Sequence, residues 1–347
     1  MGINATILDK ILDNNWGWEY SFDLTSFEDF MLTACAFPER QEKSIRIIED
    51  IMVLHGKQEL LRHVVHLARV ELGIRELEPW VRDHVVHALL SFVLGITINE
   101  HLLRPSGQNV DSFQWKLAGL FHDVGYPAQV AKDIIVPFTN QINSIKRSLG
   151  VSRPDVFFQI VPVGLDILAN EFNSLDIIQH WLNRWRLQID ARREYREMID
   201  SGGVCHGMIS ALSVLYVIDM MYQKYNPDRT YQNIYEPLGI NWNQQYFEDH
   251  VAPACAAIFV HNLPPRCFQN AKIDRRYAAL PFLLRLSDCL QDWERPSAID
   301  PRGKSDEMFN IEFPLGNIAV TVTDPDRRRK IAEEISNTLV ATDIIIQ

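Results

Sequence analysis

Apolar residues recur at three- and four-residue spacing along most of this chain, which is the pattern of helices that bury one face. The spacing predicts helices over 43–56, 58–72, 79–94, 112–124, 128–147, 160–199 (with at least one break), 203–224, 252–261 and 278–294. Near the C-terminus "MFNIEFPL" and "NIAVTVTD" instead alternate apolar and polar residues and predict a β-hairpin, followed by a charged helix over 325–340. The chain is therefore predicted to be mainly α, with a helical bundle core and a small C-terminal hairpin plus helix.

Local signals place some of the helix ends. Pro79 suits the first turn of a helix, and Gly95 is a plausible stop for it. Asp111 followed by Gln114 resembles a capping box. Segment 225–250 lacks periodicity and is rich in Asn, Pro, Tyr and Gln, so we interpret it as a long excursion and a candidate lid.

Charge and cysteine usage limit the partners of the protein. The net charge of −11 opposes binding to anionic membranes and to long nucleic acids. The five cysteines are scattered and form no Cys-x-x-Cys, which favours a reducing, cytoplasmic location over a disulfide framework or a structural zinc ribbon. The apolar run 203–218 stops at Asp219, short of a bilayer's width, so no membrane span is expected.

Titratable residues interrupt several of the most apolar helices. The stretch "KLAGLFHDVGYP" closes an apolar run with His122 and Asp123, a doublet that is weak evidence by itself. Comparable surroundings hold His84 and His87 in "WVRDHVVHALLSFVLG", His206 in "GGVCHGMISALSVL", His261 in "ACAAIFVHNLPP" and Asp288 in "LPFLLRLSDCLQDWER". Burying an unpaired carboxylate is costly, and sharing a metal ion lowers that cost. Imidazole and carboxylate together suit Mn, Fe, Zn, Ni or Mg.

The order of these residues resembles the HD superfamily of metal-dependent phosphohydrolases. Its signature is a His, then His-Asp, then a distant Asp, which here are His87, His122–Asp123 and Asp288. The resemblance covers about 76–300. It implies an N-terminal helical region over 1–75, an HD phosphohydrolase core over 76–300 and a small α/β appendage over 301–347.

Two further histidines, His206 and His261, lie between the doublet and the last Asp, as in the binuclear subgroup of HD proteins. This resemblance implies two divalent ions. One ion would be held by His87, Asp123 and Asp288, and the other by His122, His206 and His261, with Asp123 bridging. In the alternative, mononuclear site, His206 and His261 are core or helix-capping residues.

His84 and His87 stand three residues apart on one helical face. Cyclic-nucleotide phosphodiesterases carry a similar pair, and that resemblance makes His84 the acid that protonates the leaving group and His87 a metal ligand. Alternatively, His84 is a surface or capping residue, or the two roles are exchanged. Arg82 lies close to His84 in the chain and is a candidate phosphate-binding residue.

The resemblance implies hydrolysis of a phosphoester or phosphoanhydride of a small nucleotide or cyclic (di)nucleotide by a metal-activated hydroxide, with Asp123 in the catalytic centre. Tyr225, Tyr231 and Tyr235 of the excursion would stack on a base, or would only pack against the core. Two alternatives stay open: an HD-type nuclease for single-stranded or short nucleic acid, and a nucleotide-sensing regulatory module without turnover. Whether copies of the chain form a homo-oligomer is also open.

Other polar residues receive ordinary roles. His55, His63 and His66 have no partner motif and are predicted to be solvated at the surface. Arg285 and Asp292 share a helical face with Asp288, where they would either support the site or form a salt-bridged stripe.

Overall fold

A computed structural model of the chain describes residues 2–14, 20, 23–53, 55–75, 83–150, 152, 154–157, 161–168, 172–227, 242–294, 309–314 and 316–347. Four residues singled out by the sequence analysis, Pro79, Arg82, Tyr231 and Tyr235, lie outside the described residues.

Helices dominate the described chain, as the sequence predicts. They are α1 (Ile3–Asp13), α2 (Leu24–Leu32), α3 (Phe37–Val53), α4 (Leu61–Arg75), α5 (His84–Ile98), α6 (Ser112–Phe121), α7 (Tyr126–Ser148), α8 (Ser174–Arg184), α9 (Ala191–Asp200), α10 (His206–Tyr225), α11 (Ala252–His261), α12 (Ala279–Leu290) and α13 (Pro325–Thr338). The prediction of a mainly α fold is confirmed.

A small sheet forms from the C-terminal residues. Strands β1 (Phe309–Glu312) and β2 (Ile318–Val322) pair antiparallel, which confirms the predicted hairpin. A third strand, β3 (Ile344–Ile346), was not expected and pairs parallel with β2 after helix α13. Three consecutive isoleucines show no alternation, so only the partner strand identifies this segment as a strand.

Two helices without a polar face form the centre of the core. Every residue of α11 is buried, and α11 packs against α6, α8, α10 and α12. Every residue of α5 is buried as well, against α3, α6 and α12. A helix that is apolar on all sides belongs in a protein interior. One hydrophobic cluster contains residues from α1 through to α13. The division of the chain into 1–75, 76–300 and 301–347 stays a prediction.

The continuous helical stretch His84–Ser106 is long and apolar enough to cross a membrane by length and composition. However, 89% of its apolar window is buried inside the protein, as expected for a core helix. The apolar run 203–218 was considered from the sequence as a possible membrane span, and the stretch His84–Ser106 is longer than that run.

The predicted helix stop at Gly95 is wrong, because α5 continues to Ile98. A Cβ atom at Gly95 would lie 2.0 Å from Cζ2 of Trp115, so the glycine allows the indole of α6 to pack directly on the backbone of α5. The same indole Nε1 donates to the carbonyl of Phe92 at 3.0 Å. Gly95 therefore allows close packing between α5, which carries His87, and α6, which precedes His122 and Asp123.

The predicted capping box at the start of α6 forms only in part. Oδ1 of Asp111 accepts hydrogen bonds from the backbone N–H groups of Phe113 (3.1 Å) and Gln114 (3.0 Å). The side chain of Gln114 does not return to Asp111 but donates to the carbonyl of Asp249 at 3.0 Å. It thus fixes α6 to the turn that precedes α11.

Candidate metal centre

Six predicted metal ligands from five separate segments meet in the centre of the fold. His87 lies in the first turn of α5, and His122 and Asp123 follow directly after α6. The other three lie on the helices packed around them: His206 is the first residue of α10, His261 is the last residue of α11, and Asp288 lies in α12. His87, His122, Asp123 and His261 are buried, so these side chains can exchange little with solvent.

The first group of ligand atoms surrounds Oδ2 of Asp123. Nε2 of His122 lies 3.5 Å from this oxygen, and Nε2 of His87 lies 3.7 Å from it. The two Nε2 atoms are 3.3 Å apart. Oδ1 of Asp288 completes the group, 2.9 Å from Nε2 of His87 and 3.9 Å from that of His122.

The second group surrounds the other oxygen of the same carboxylate. Oδ1 of Asp123 lies 3.2 Å from Nε2 of His206 and 3.5 Å from Nε2 of His261. His87, His122 and Asp123, and separately Asp123, His206 and His261, have ligand atoms close enough together to hold a metal ion. Asp123 thus belongs to both groups, with one oxygen facing each.

Each imidazole is oriented by a contact at its Nδ1 atom. Nδ1 of His122 donates to the carbonyl of Gly119 at 3.0 Å, and Nδ1 of His261 donates to that of Ile258 at 2.6 Å. A backbone carbonyl only accepts, so Nδ1 carries a proton in both rings, and the lone pair of a neutral ring lies on Nε2. Such contacts fix the tautomer and aim of metal-binding histidines.

The other two imidazoles use side-chain amides for the same purpose. Nδ1 of His87 contacts Oε1 of Gln291, and Nδ1 of His206 contacts Oε1 of Gln129 at 2.7 Å. All four Nε2 atoms therefore face inward toward carboxylate oxygens. Neither glutamine was predicted from the sequence, because no local pattern indicates which amide reaches a distant ring.

This donor set fits divalent cations. Two nitrogens bound to one ion at about 2.1 Å each lie roughly 3.0–3.4 Å apart for angles between 90° and 110°, and the Nε2 atoms of His87 and His122 are 3.3 Å apart. Nε2 of His261 is buried and makes no hydrogen bond to any described residue. Lone pairs and carboxylate oxygens that converge in a dry core repel one another unless a cation lies between them.

The ionisation of the cluster agrees with the binding of a divalent cation. Burial lowers the pKa of His261, so its imidazole is neutral, as a ligand must be. Burial by itself would raise the pKa of Asp123, but His122 and the contacts with His206 and His261 hold it well below its usual range. The central carboxylate is therefore ionised.

The division of the ligand residues into two groups differs from the sequence-based one. His122 was assigned with His206 and His261, but its Nε2 atom shares Oδ2 of Asp123 with His87. The reason is the helical geometry of "FHDVG": the doublet lies in the turn after α6, and α6 packs against α5, which carries His87. The packing of α6 on α5 thus places His122 in the group of His87, and the spacing of residues in the sequence does not indicate this packing.

His84 lies beside the cluster and outside both groups of ligand atoms. Its Nδ1 atom is 2.8 Å from Oε1 of Glu71, and its backbone N–H donates to the same oxygen at 2.7 Å. Nε2 of Gln41 donates to the other oxygen of Glu71 at 2.9 Å. Burial raises the pKa of Glu71 to about 8, although these donors favour its ionised form. A buried carboxyl group thus holds the ring of His84.

Glu71 was not predicted from the sequence, although its position in α4 carries a signal. Val64, Leu67 and Ala68 form the buried stripe of α4, and Glu71 continues that stripe at the next helical position. A carboxylate at an apolar position requires a partner. The partner is a histidine 13 residues away along the chain, in the next helix.

Tyr126 lies between the acid candidate and the second group of ligands. Its ring stacks on His84 with the centroids 3.6 Å apart and meets the ring of His206 edge-on at 6.0 Å. Gly125 lies between the doublet and Tyr126 and lets this turn approach α10. A Cβ atom at Gly125 would lie 2.6 Å from the backbone nitrogen of Ser210, whose Oγ accepts from the N–H of Gly125 at 2.8 Å.

The structure also shows the partners of Arg285 and Asp292, whose roles the sequence left open. Arg285 is buried and donates to the carbonyls of His261 and Leu263 at the end of α11, while Nη2 pairs with Glu334 of α13 at 3.2 Å. Asp292 pairs with Arg327 at 3.8 Å. Arg285 therefore supports the end of the helix that carries His261, without joining the ligand groups.

The predicted substrate contacts are described only in part. Tyr225 ends α10 with 44% of its surface exposed, and its ring lies 4.9 Å from that of Trp242. Arg82 and the other two tyrosines of the excursion lie outside the described residues.

His55, predicted to be solvated, is instead buried beside Lys116, since α6 and the turn before α4 enclose it.

Comparisons with known proteins give no independent assignment. No protein-family model, no curated protein and no solved structure matches this chain. The resemblance to HD phosphohydrolases therefore depends on the residues of the chain and on the centre that they form.

Proposed function

We propose that this protein is a metal-dependent phosphohydrolase of the HD type, which hydrolyses a phosphoester or phosphoanhydride of a small nucleotide or cyclic (di)nucleotide. The proposal starts from the order His87, His122–Asp123, Asp288 in the chain. Its main structural support is Asp123, which presents one oxygen to each of two histidine groups. A carboxylate shared in this way suits a pair of ions about 3.5–4 Å apart.

In this function the chain would hold two divalent ions, one between His87, His122, Asp123 and Asp288, and one between Asp123, His206 and His261. Bound there, divalent ions lower the pKa of a coordinated water and offset negative charge on a phosphoryl group. The protein contributes orientation, because each imidazole is fixed at Nδ1 by an acceptor on a rigid helix or helix end.

Proton transfer to the leaving group falls to His84. The ring is buried, next to the ligand groups, with its centroid 6.4 Å from that of His87. Once ionised, above its pKa of about 8, Glu71 accepts from Nδ1 and stabilises the protonated ring. The stack on Tyr126 limits the rotation of this ring. A positioned acid of this kind accelerates the loss of a poor leaving group by roughly 10²–10⁴-fold.

A substrate panel with metal analysis tests the proposal. Purified protein supplied with Mn²⁺ should contain about two ions per chain and hydrolyse bis(p-nitrophenyl) phosphate together with one or more nucleotides or cyclic dinucleotides. Asp123→Asn should abolish turnover and lower the metal content, because it removes the charge shared by both groups. Asp133→Asn, at an exposed position of α7, is the matched control.

The same panel separates the alternatives. A nuclease would prefer single-stranded oligonucleotides to nucleotides, which the charge of −11 opposes. A regulatory module would bind a nucleotide without turnover. Full activity and metal content in Asp123→Asn would refute the metal-dependent mechanism itself.

A further inference from the structure

A cavity of about 300 Å³ lies next to the second group of ligands. Its wall includes Gln129 of α7, Cys205 and Met208 at the start of α10, and Asn262 directly after His261. Pockets for small molecules have volumes of roughly 300–1,000 Å³, so this one suits a small ligand.

The cavity meets the candidate metal centre at one side chain. Nδ1 of His206 contacts Oε1 of Gln129 at 2.7 Å and the side-chain amide of Asn262 at 3.1 Å. Nε2 of the same ring faces Asp123. The cavity thus lies on the Nδ1 side of His206, while the ligand atoms lie on the other side.

The cavity wall contains two carboxylates, Glu194 and Glu197, and two cations, Arg266 and Lys132. Glu194 and Glu197 pair with Arg266, at 2.7 and 3.2 Å, and also with Arg193, at 3.2 and 3.8 Å. Arg266 of the wall and Arg193, which lies outside it, therefore pair with both glutamates. The remaining cation of the wall is Lys132, for which no described carboxylate lies within ion-pair distance.

Further donors accompany this lysine. Gln129 uses its oxygen for His206, so its NH₂ group remains available, and no described residue accepts from it. Helix α10 begins at the cavity with no side-chain cap and no acidic residue in its first turn, and its positive end adds to the charge of Lys132. The described wall contains no aromatic ring on which a base would stack.

From these observations we infer that the cavity is a second phosphate-binding site, in which Lys132 binds the anion and the amide of Gln129 assists. The phosphate is either the distal group of a doubly phosphorylated substrate or a free anion. The first source rests on the proposed function, whereas the site itself does not. In both cases the bound group touches Gln129, the residue that orients His206.

Binding of inorganic phosphate, measured by titration calorimetry, tests the site directly. We compare wild type, Lys132→Ala, Lys132→Arg and, as a control, Lys330→Ala, an exposed lysine of α13. Lys132→Ala should weaken one phosphate-binding event by roughly tenfold or more, with Lys132→Arg and Lys330→Ala close to wild type. The titration is run as purified and after chelation, with circular dichroism as the check on folding.

A matched pair of ligands then identifies the source of the phosphate. If the site takes the distal group of the substrate, metal-loaded wild type should bind fructose 1,6-bisphosphate at least tenfold more tightly than fructose 6-phosphate, and Lys132→Ala should lose that preference. Equal binding of both sugars, with Lys132-dependent binding of free phosphate, identifies a free anion. Phosphate binding that is absent, or the same in Lys132→Ala and wild type, overturns the inference whether or not the protein is a hydrolase.

Discussion

Two clusters of buried polar groups lie in the same helical core, one rich in carboxylates and the other in lysines. In the candidate metal centre, carboxylate oxygens and the Nε2 atoms of four histidines converge. In the second cluster, Lys57 and Lys116 are 0% and 2% exposed. Nζ of Lys57 lies 4.5 Å from the ring centre of Trp242, and Nζ of Lys116 donates to Nε2 of His55 at 3.1 Å.

The two clusters reduce the cost of buried charge in different ways. Burial lowers the pKa of Lys57 to about 7 and that of His55 to about 3, so the lysine cluster sheds protons. In the metal centre, burial is opposed by His122 at Asp123 and by His87 at Asp288, and both carboxyl pKa values lie below their usual range. A cluster that keeps its negative charge requires a cation, whereas the lysine cluster meets aromatic faces and a neutral imidazole.

The largest expected effect comes from removing ligands in pairs. His206→Ala and His261→Ala should each reduce about two ions per chain to about one and lose most turnover, with unchanged helical circular dichroism. If the two histidines share an ion, the double variant should retain that remaining ion. The combination His122→Ala with His206→Ala should lose both ions, because it removes one ligand from each group.

The control for these variants is His66→Ala, an exposed histidine of α4. A double variant at His122 and His206 that keeps one ion would instead favour the sequence-based division, in which both histidines belong to the same ion. Normal activity in both single variants would make these histidines core residues and leave a mononuclear site.

A smaller loss is expected at His84, which contacts Glu71 and is not part of either ligand group. His84→Ala should keep the metal content and slow substrates with poor leaving groups by roughly 10²–10⁴-fold. Hydrolysis of activated nitrophenyl esters should change much less, since a good leaving group does not need a proton. A loss of metal in this variant would identify His84 as a ligand.

Glu71→Gln should act through His84 and reduce turnover less than His84→Ala does. The amide preserves the shape of the contact but lacks the negative charge that Glu71 gains above about pH 8 and that stabilises the imidazolium, so the acid should lose its proton at lower pH. The alkaline limb of the pH–rate profile should therefore move to lower pH, which a purely structural role would not produce. Glu49→Gln, exposed on α3, is the control.

The smallest effect concerns stability at the lysine cluster. The pKa of Lys57 falls from 10.5 to about 7 on folding, so stability rises with pH between these values and the cost of the buried ammonium is fully present below pH 7. Lys57→Met should stabilise the fold by about 2 kcal/mol at pH 6 and by much less near pH 10, measured by urea unfolding. Destabilisation at both pH values would show that the ammonium contacts outweigh the burial cost.

The sequence identified the features that local patterns encode. Helical periodicity gave the mainly α fold, alternation gave the β1–β2 hairpin, and Asp111 gave the start of α6. The six candidate ligands could also be selected, because titratable residues inside apolar helices are costly wherever those helices pack. None of these signals depends on knowing which helices touch.

Tertiary packing decided what lies between elements. Only the packing of α5 on α6 places His122 beside His87, lets Trp115 pass over Gly95 and so extends α5 beyond its predicted end. Residues far apart in the chain also receive their roles from packing: Glu71 meets His84, and His55 becomes buried against Lys116. A side chain's partner depends on the position of other helices in space, and neither periodicity nor spacing along one segment contains that information.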